Sequence, residues 1–499
     1  MLSIDTNVSS LYALNSLINT DNKTSTLEQE LSSGLAINSP ADNPAEYIAA
    51  QGFTTQIGGV AQATSNVNQA ITLVETANDA VTQQINMLQN IRNIAAQAAN
   101  GTQTPEQLQS LQQVVSQLQT QISTIAQQTS FNGVKLLDGS FQGVQFQVGA
   151  SVGQIINVSI GNTQANQVGV NQSSAAAAGL YATDGAATGG VGDQTGASYA
   201  ITAAGAGAFT AGNIAVSGSA GNATFNVSAG NESAQAIAQA VNANTSKTNV
   251  SATATTSVAF TVTAGSISFT LGNGNGGAQT NPVNISATVS AVTPAGLQSL
   301  VNSINQQTAA TGVTASVDAN NHLILTQSQG DNISITGFAG TGTLAAGGST
   351  TTTLGTGAGD VAAATVQGVV TLQSNQTFAA QSTVSNIGLN TNSALTTLAG
   401  VSVSTMAGAN SALNVVDFAL QQLENIGGQL GAIQQRLQAT ASNLQASTTN
   451  LTSARSVVQD ANIPAVTSQL TQEEILQQAG VSALAQSHTL QQAFLKLLQ

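Results

Sequence analysis

Residues 60–88, "VAQATSNVNQAITLVETANDAVTQQINML", decide the fold. Their apolar positions Val60, Val67, Val74, Val81 and Leu88 recur at a strict step of seven, with Ala63, Ala70, Ala77, Ile71, Ile85 and Ile91 filling a second seam position. A seven-residue step on a helix lays down one narrow stripe, and a stripe that narrow needs a partner helix to keep it dry.

Downstream, "ANGTQTPEQ" (99–107) breaks the helix and starts another: Thr104 reads as an N-cap with Pro105 at the first helical position. The new seam is Leu108, Leu111, Val115, Leu118, Ile122 and Ile125, alternating steps of three and four. The far end of the chain carries the longest stripe: Val416, Leu423, Leu430, Leu437, Leu444, Leu451 and Val458, with Ile426, Ile433 and Ala454 beside it. Isolated helices are marginal in water, so these three segments belong to one bundle built from the two ends of the chain. Upstream, "LSSGLAINSPADNPAEYIAA" (31–50) places two prolines and a Gly-Leu-Ala-Ile-Asn turn between helical runs, and Pro464 makes a second break near the other end.

Between roughly 173 and 382 the heptads vanish. The composition turns to Gly, Ala, Ser, Thr and Asn, with β-type alternation in "VAFTVTAGSISFTLG" (258–272) and "HLILTQSQGDNISITG" (322–337). "AIAQAVNANTSKTNVSATA" and "GLQSLVNSINQQTAATGVTASV" share a short helix, then Asn242 or Asn305, then Val250 or Val313 eight residues on. Two helix-plus-strands repeats follow from this, at about 213–272 and 283–338. The expected fold class is α+β: terminal helices forming a coiled-coil bundle, with a β-rich insert in the middle of the chain. "GAATGGVGDQTGAS" (185–198) and "GTGTLAAGGSTTTTLGTGAGD" (340–360) read as flexible joints.

Composition narrows the function. There is no cysteine, there are only two histidines, and 7 Lys+Arg stand against 21 Asp+Glu for a formal charge of −14. That excludes a disulfide framework and a thiol nucleophile, and it disfavours nucleic acid, which needs clustered cations. A polybasic membrane contact fails for the same reason. No apolar run reaches the roughly 18 residues of a membrane span, and the N-terminal "MLSIDTNVSSLYALNSL" lacks the basic region and the small-residue cleavage site of a secretory signal. At 6% charged, the chain lies far below the about 25% of ordinary soluble domains, and amides and hydroxyls must keep it in solution.

No motif supports catalysis. Phosphate loops, zinc helices and nucleophile elbows are absent, and the glycine-rich "LGNGNGGAQ" reads as a turn. His322 reads as a strand-edge polar residue, and Glu473 and Glu474, adjacent on a helix, do not face each other. No catalytic, cofactor-binding or metal residue is assigned. The terminal helices instead carry unsatisfied apolar positions: Leu11, Leu14 and Ile18 at one end, and Ile475, Leu476, Leu484, Leu490, Phe494, Leu497 and Leu498 at the other. Different faces offered to different neighbours generate open helical filaments when the rotation does not close a ring.

Five stretches together resemble the bacterial flagellins: "LSSGLAINSPADNPAEYIA", "IRNIAAQAANGT", "TSFNGVKLLDG", "GQLGAIQQRL" and "ILQQAGVSALAQ". The resemblance spans roughly the first 170 and last 115 residues, and the middle repeats are similar to an insert motif of some flagellin and hook-associated proteins. It implies residues 1–44 and 464–499 as an inner helical polymerisation region, 45–172 and 383–463 as the coiled-coil bundle with a small β part, and 173–382 as a variable, surface-exposed insert. It also implies an extracellular filament subunit whose partner is itself, exported through the flagellar type III channel without a cleaved signal peptide. An export chaperone, a filament cap and hook-junction proteins would be its other partners. A hook-filament junction protein or a surface adhesin are the alternative readings.

The sequence departs from the family pattern in two places. Flagellins usually have Arg where Ala36 stands and more acid around Asn43, so the turn between the helices must be held without that pairing. The animal Toll-like receptor that detects many flagellins contacts an Arg, a Leu and a Glu; the matching positions hold Asn90, Ile94 and Val114, and only Arg92 is kept.

Overall fold

The computed structural model describes residues 8–100, 103–174, 180–182, 201–202, 212–227, 233–273, 280–318, 320–346, 353–356, 363–383 and 392–497. The helices are α1 (Val8–Ser33), α2 (Pro44–Ala98), α3 (Pro105–Gln128), α4 (Ala234–Asn242), α5 (Thr245–Thr248), α6 (Pro294–Asn305), α7 (Thr308–Thr311), α8 (Met406–Gln459) and α9 (Ile463–Leu497). The chain divides into two compact units, 1–79 with 130–161 and 428–499, and 80–129 with 162–427; α2 and α8 contribute residues to both.

In the first unit the seam residues Val67, Ala70, Val74, Ala77, Leu430 and Leu437 are buried, and Leu444 nearly so, while Leu451 is half-buried. Gln434 Nε2 donates to Glu75 Oε1 at 2.9 Å, tying α8 to α2. The small β part is two hairpins. Ser130–Phe131 pairs with Val134–Lys135 around Asn132 and Gly133, both at positive φ as a tight hairpin turn requires. Val144–Gln147 pairs with Ile155–Val158.

In the second unit Val81, Leu88, Ile91, Val115, Ile122 and Leu423 are buried, and Leu111 and Leu118 are half-buried. Thr104 caps α3 in a reciprocal capping box with Gln107, as the Thr-Pro pair indicates. Glutamines take over the bridging that ion pairs usually supply. Buried Gln84 donates to Ile122 O at 2.9 Å, and Gln119 donates to the carbonyls of Leu398 (2.7 Å) and Val401 (3.1 Å). The strand Gly169–Ser174 pairs antiparallel with Ala394–Thr397, so the chain leaves for the insert and returns from it on neighbouring strands. Gly169 is required there, because a Cβ would lie 2.2 Å from Thr396 O.

The insert is a duplication whose unit opens one element earlier than the helix. A hairpin, Gly212–Gly218 with Gly221–Val227, precedes α4 and α5; a second, Gly265–Asn273 with Thr280–Val289, precedes α6 and α7. Asn242 Nδ2 donates to Ala252 O (2.8 Å) while its Oδ1 accepts from Ala252 N–H (2.7 Å); Asn305 does the same to Ala315 (2.9 and 2.7 Å). Each asparagine thus imitates a neighbouring strand and fixes where the strand after the helix begins. Val250 and Val313, eight residues on, are buried, and their backbone N–H groups donate to the hydroxyls of Thr248 and Thr311 (3.2 Å each). The strand Ser251–Val262 serves both modules: Ala252 and Ala254 lie in one core with Val216 and Ile237, whereas Val258, Phe260 and Val262 lie in the other with Leu297 and Leu325. The stretch 185–198 lies outside the described residues. Within 340–360, read as a joint, Leu344 and Leu354 are buried on paired strands, because two leucines suffice to anchor a glycine-rich segment to a core.

Because the clamp satisfies two backbone groups that are otherwise orphaned, Asn305→Ala is expected to destabilise the second module by about 1–3 kcal/mol. Asn305→Asp, which keeps only the acceptor, should fall between. Thermal unfolding of the full chain checks both.

Candidate functional site

The two helix breaks meet in one place in the first unit. Gly34, at φ +74°, ends α1, and its N–H reaches Glu30 O at 2.8 Å. Ala36 N–H then donates to Gln459 O (2.8 Å) and Ala461 N–H donates to Gly34 O (2.9 Å), so the segment after α1 and the segment before α9 form a short antiparallel bridge. Ile37 is buried beneath it. Asn43 Oδ1 accepts from Ala45 and Glu46 N–H, capping α2 with Pro44 at its first position. Backbone pairing therefore does the holding at Ala36.

Asp42 Oδ2 accepts from Ser39 N–H (2.7 Å) and Asn38 N–H (2.9 Å), and these bonds, Ser39's first, lower the carboxyl below its usual 3.8. A carboxylate with a lowered folded pKa stabilises the fold above about pH 4, and the contribution is lost as pH falls toward the folded value. Asp42→Asn is accordingly expected to melt earlier at pH 7 and to show a smaller further drop at pH 3 than the unaltered chain, read by thermal melts at the two pH values.

Beyond the break, α1 and α9 pack antiparallel. Gly480 lies against Leu17, Gln477 Nε2 donates to Asp21 Oδ1 (3.1 Å), and Lys23 Nζ pairs with Glu473 Oε1 (3.3 Å). The residues withdrawn from solvent on α1 are Ser10, Ala13, Leu17, Thr20, Thr24, Leu27 and Glu30; on α9, among residues 463–489, they are Val466, Leu470, Glu473, Gln477, Gly480, Leu484 and Ser487. That stripe is mostly small or polar. Leu17, Leu27, Val466, Leu470 and Leu484 are its large apolar members, while many others face outward: Tyr12 is 75% exposed, Ile18 52%, Ile475 63% and Val481 52%, and Leu11, Leu14 and Leu476 are exposed with them. Of the terminal-helix residues named from the sequence, Leu484 lies on the inward stripe, Leu490, Phe494 and Leu497 fall within α9, and Leu498 lies outside the described residues.

An outward apolar face of this extent offers area to another surface and no chemistry. His322 closes a turn, its Nδ1 2.9 Å from Asp318 Oδ2, and Glu473 is engaged by Lys23. Among the described residues no group of three His, Asp or Glu could hold a metal ion, and no helix is long and apolar enough to cross a membrane. In the second unit Arg92 Nε donates to Asp417 Oδ1 at 2.6 Å, which holds the guanidinium protonated; Asn90 and Val114 are exposed and Ile94 is half-buried.

Residues 4–142 match the bacterial flagellin N-terminal helical region, 413–498 the bacterial flagellin C-terminal helical region, and 266–329 the flagellin hook IN motif. The chain is 33% identical over 524 aligned residues to the B-type flagellin of Pseudomonas aeruginosa, covering 100% of both. It belongs to the bacterial flagellin family. The flagellin of Serratia marcescens is 40% identical over 134 residues, 27% of this chain and 38% of the other. Among solved structures, FliC from Burkholderia pseudomallei aligns at 19% identity and a TM-score of 0.29, over 73% of this chain and 99% of that one. Flagellar hook associated protein-3 from Legionella pneumophila aligns at 13% and 0.35, over 81% and 97%. The hook IN motif coincides with the second hairpin-helix module of this flagellin, from within its first strand to just past the strand Leu323–Gln327.

Proposed function

We propose that this flagellin polymerises through the outward apolar faces of α1 and α9. Flagellins are structural proteins, and the chain is a subunit of the flagellar filament. The observation that carries the proposal is the apolar surplus of the terminal pair: a narrow, mostly small or polar stripe with a few leucines faces inward while Leu11, Ile18, Ile475 and Leu476 are left in water. Such a face is costly for a monomer and becomes buried when subunits add. In this reading, residues 1–44 and 464–499 form the inner layer of the polymer and 45–172 with 383–463 the surrounding bundle. Residues 173–382 form the outer surface. Export unfolded through the flagellum's own channel, a chaperone on the C-terminal helix, and contacts with cap and hook-junction proteins complete it. Seeded polymerisation followed by electron cryo-microscopy tests the arrangement. A long hollow filament with α1 and α9 innermost supports it; short rings or persistent monomers would sink it.

The receptor surface is proposed to be degraded. Asn90, Ile94 and Val114 supply neither guanidinium nor carboxylate, and Arg92 is already engaged by Asp417. Charged contacts often dominate an interface, so activation of receptor-bearing reporter cells is expected to need at least ~100-fold more of this protein than of a stimulatory flagellin.

A further inference from the structure

Loop 148–154, between the strands Val144–Gln147 and Ile155–Val158 of the first unit, is held by its own side chains. Gln147 Nε2 donates to the carbonyls of Gly149 (2.9 Å) and Ser151 (2.6 Å), and Gln154 Oε1 accepts from Ser151 N–H (3.1 Å). Asn66 of α2 fastens the base by donating to Gln147 O at 3.0 Å. Gly59 admits the loop so closely that a Cβ on it would lie 2.9 Å from that of Ala150. So many ties give the loop one shape, and what that shape presents is Val152, 102% exposed. A groove of about 680 Å³ runs between the same loop, α2 and α8, with walls that include Gln56, Val60, Asn443, Leu444, Ser447 and Leu451. Val152 takes no part in the lining, and none of the lining side chains is charged.

We propose that Val152 of one subunit seats in this groove on the next copy of the chain, as a head-to-tail contact of the polymer; the inference rests on the filament reading. Contacts that propagate need two different patches on one molecule, and a knob and a groove served by one rigid loop supply them. The charge pattern selects the partner. Ordinary soluble domains are about a quarter charged, nearly all of it on the surface, and a foreign occupant would bring ions to a groove with nothing to pair them. This chain is 6% charged and can meet such a groove with amides, hydroxyls and valine. A loop already fixed in shape loses little freedom on docking, so the contact keeps most of what burial provides.

The absence of cysteine in the chain makes the test clean. Two proteins, Val152→Cys and Ser447→Cys, are mixed with a twofold excess of unaltered chain so that assembly does not depend on the variants, then seeded and oxidised. A covalent dimer in the mixed filaments, missing from filaments carrying either variant alone and from unpolymerised mixtures, is the expected result. Filaments that form and yield no mixed dimer, or that yield the Val152→Cys homodimer, overturn the docking while leaving the filament reading intact. If unaltered chain under the same seeding gives no filament, the filament reading itself fails. Independently, Val152→Ser should raise the concentration needed for elongation about tenfold, and an unchanged value counts against the contact.

Discussion

Replacing Ile475 and Leu476 together by serine is expected to abolish filament growth at concentrations where the unaltered chain polymerises fully. Each side chain is largely exposed in the single subunit, and burying one typically stabilises by about 1.5–3 kcal/mol. With 63% and 48% of their surface left to bury, losing two removes roughly 2–3 kcal/mol per added subunit, about 30- to 150-fold in the concentration that sustains growth. The monomer should be unharmed, because neither residue lies on the stripe that α9 turns toward α1. Sedimentation across a concentration series reads the effect, with circular dichroism confirming helix content. Pelleting at the original concentration would show that this face is not the contact.

The second large effect separates the insert from assembly. Phe260 is wholly buried on the strand shared by both modules, at the centre of a core that also holds Leu297, Leu325 and Ile335. Phe260→Ala is expected to cost about 3–5 kcal/mol, a large part of what holds a domain together. For an insert of this size that lowers the melting temperature by roughly 6–20 °C. Calorimetry should show the insert's transition moving down while pelleting is unchanged. Joint loss of both would mean that the insert supports the polymer directly.

Elements with a strong period were legible. The seven-residue stripe on α2 and α8 could be read because one apolar face does one job, and the two modules could be read because an asparagine with a backbone task recurs at a set distance from the next buried valine. The alternation at 258–272 already contains the strand Gly265–Asn273, but its pairing with Thr280–Val289 into a hairpin that opens the second module, ahead of α6, carries no mark in the residue pattern. The terminal helices were legible on their exposed faces and not on the contact between them. Their apolar period points to Leu11, Ile18 and Ile475, whereas the residues that α1 and α9 turn toward each other include Ser10, Thr20, Thr24, Glu473 and Gln477. No hydropathy scan would choose these. Prolines announced the break at 34–43, but the Asp42 bonds and the backbone bridge to 459–461 leave no trace in residue type alone.

The paired strands at the neck of the insert have a practical consequence. Gly169–Ser174 and Ala394–Thr397 run side by side, and neighbouring strands lie only about 4.8 Å apart. Any foreign domain whose own termini are close together could be spliced at this port without pulling the bundle open. A fibre grown from such fusions would display one cargo at every lattice position, at a density fixed by the subunit repeat.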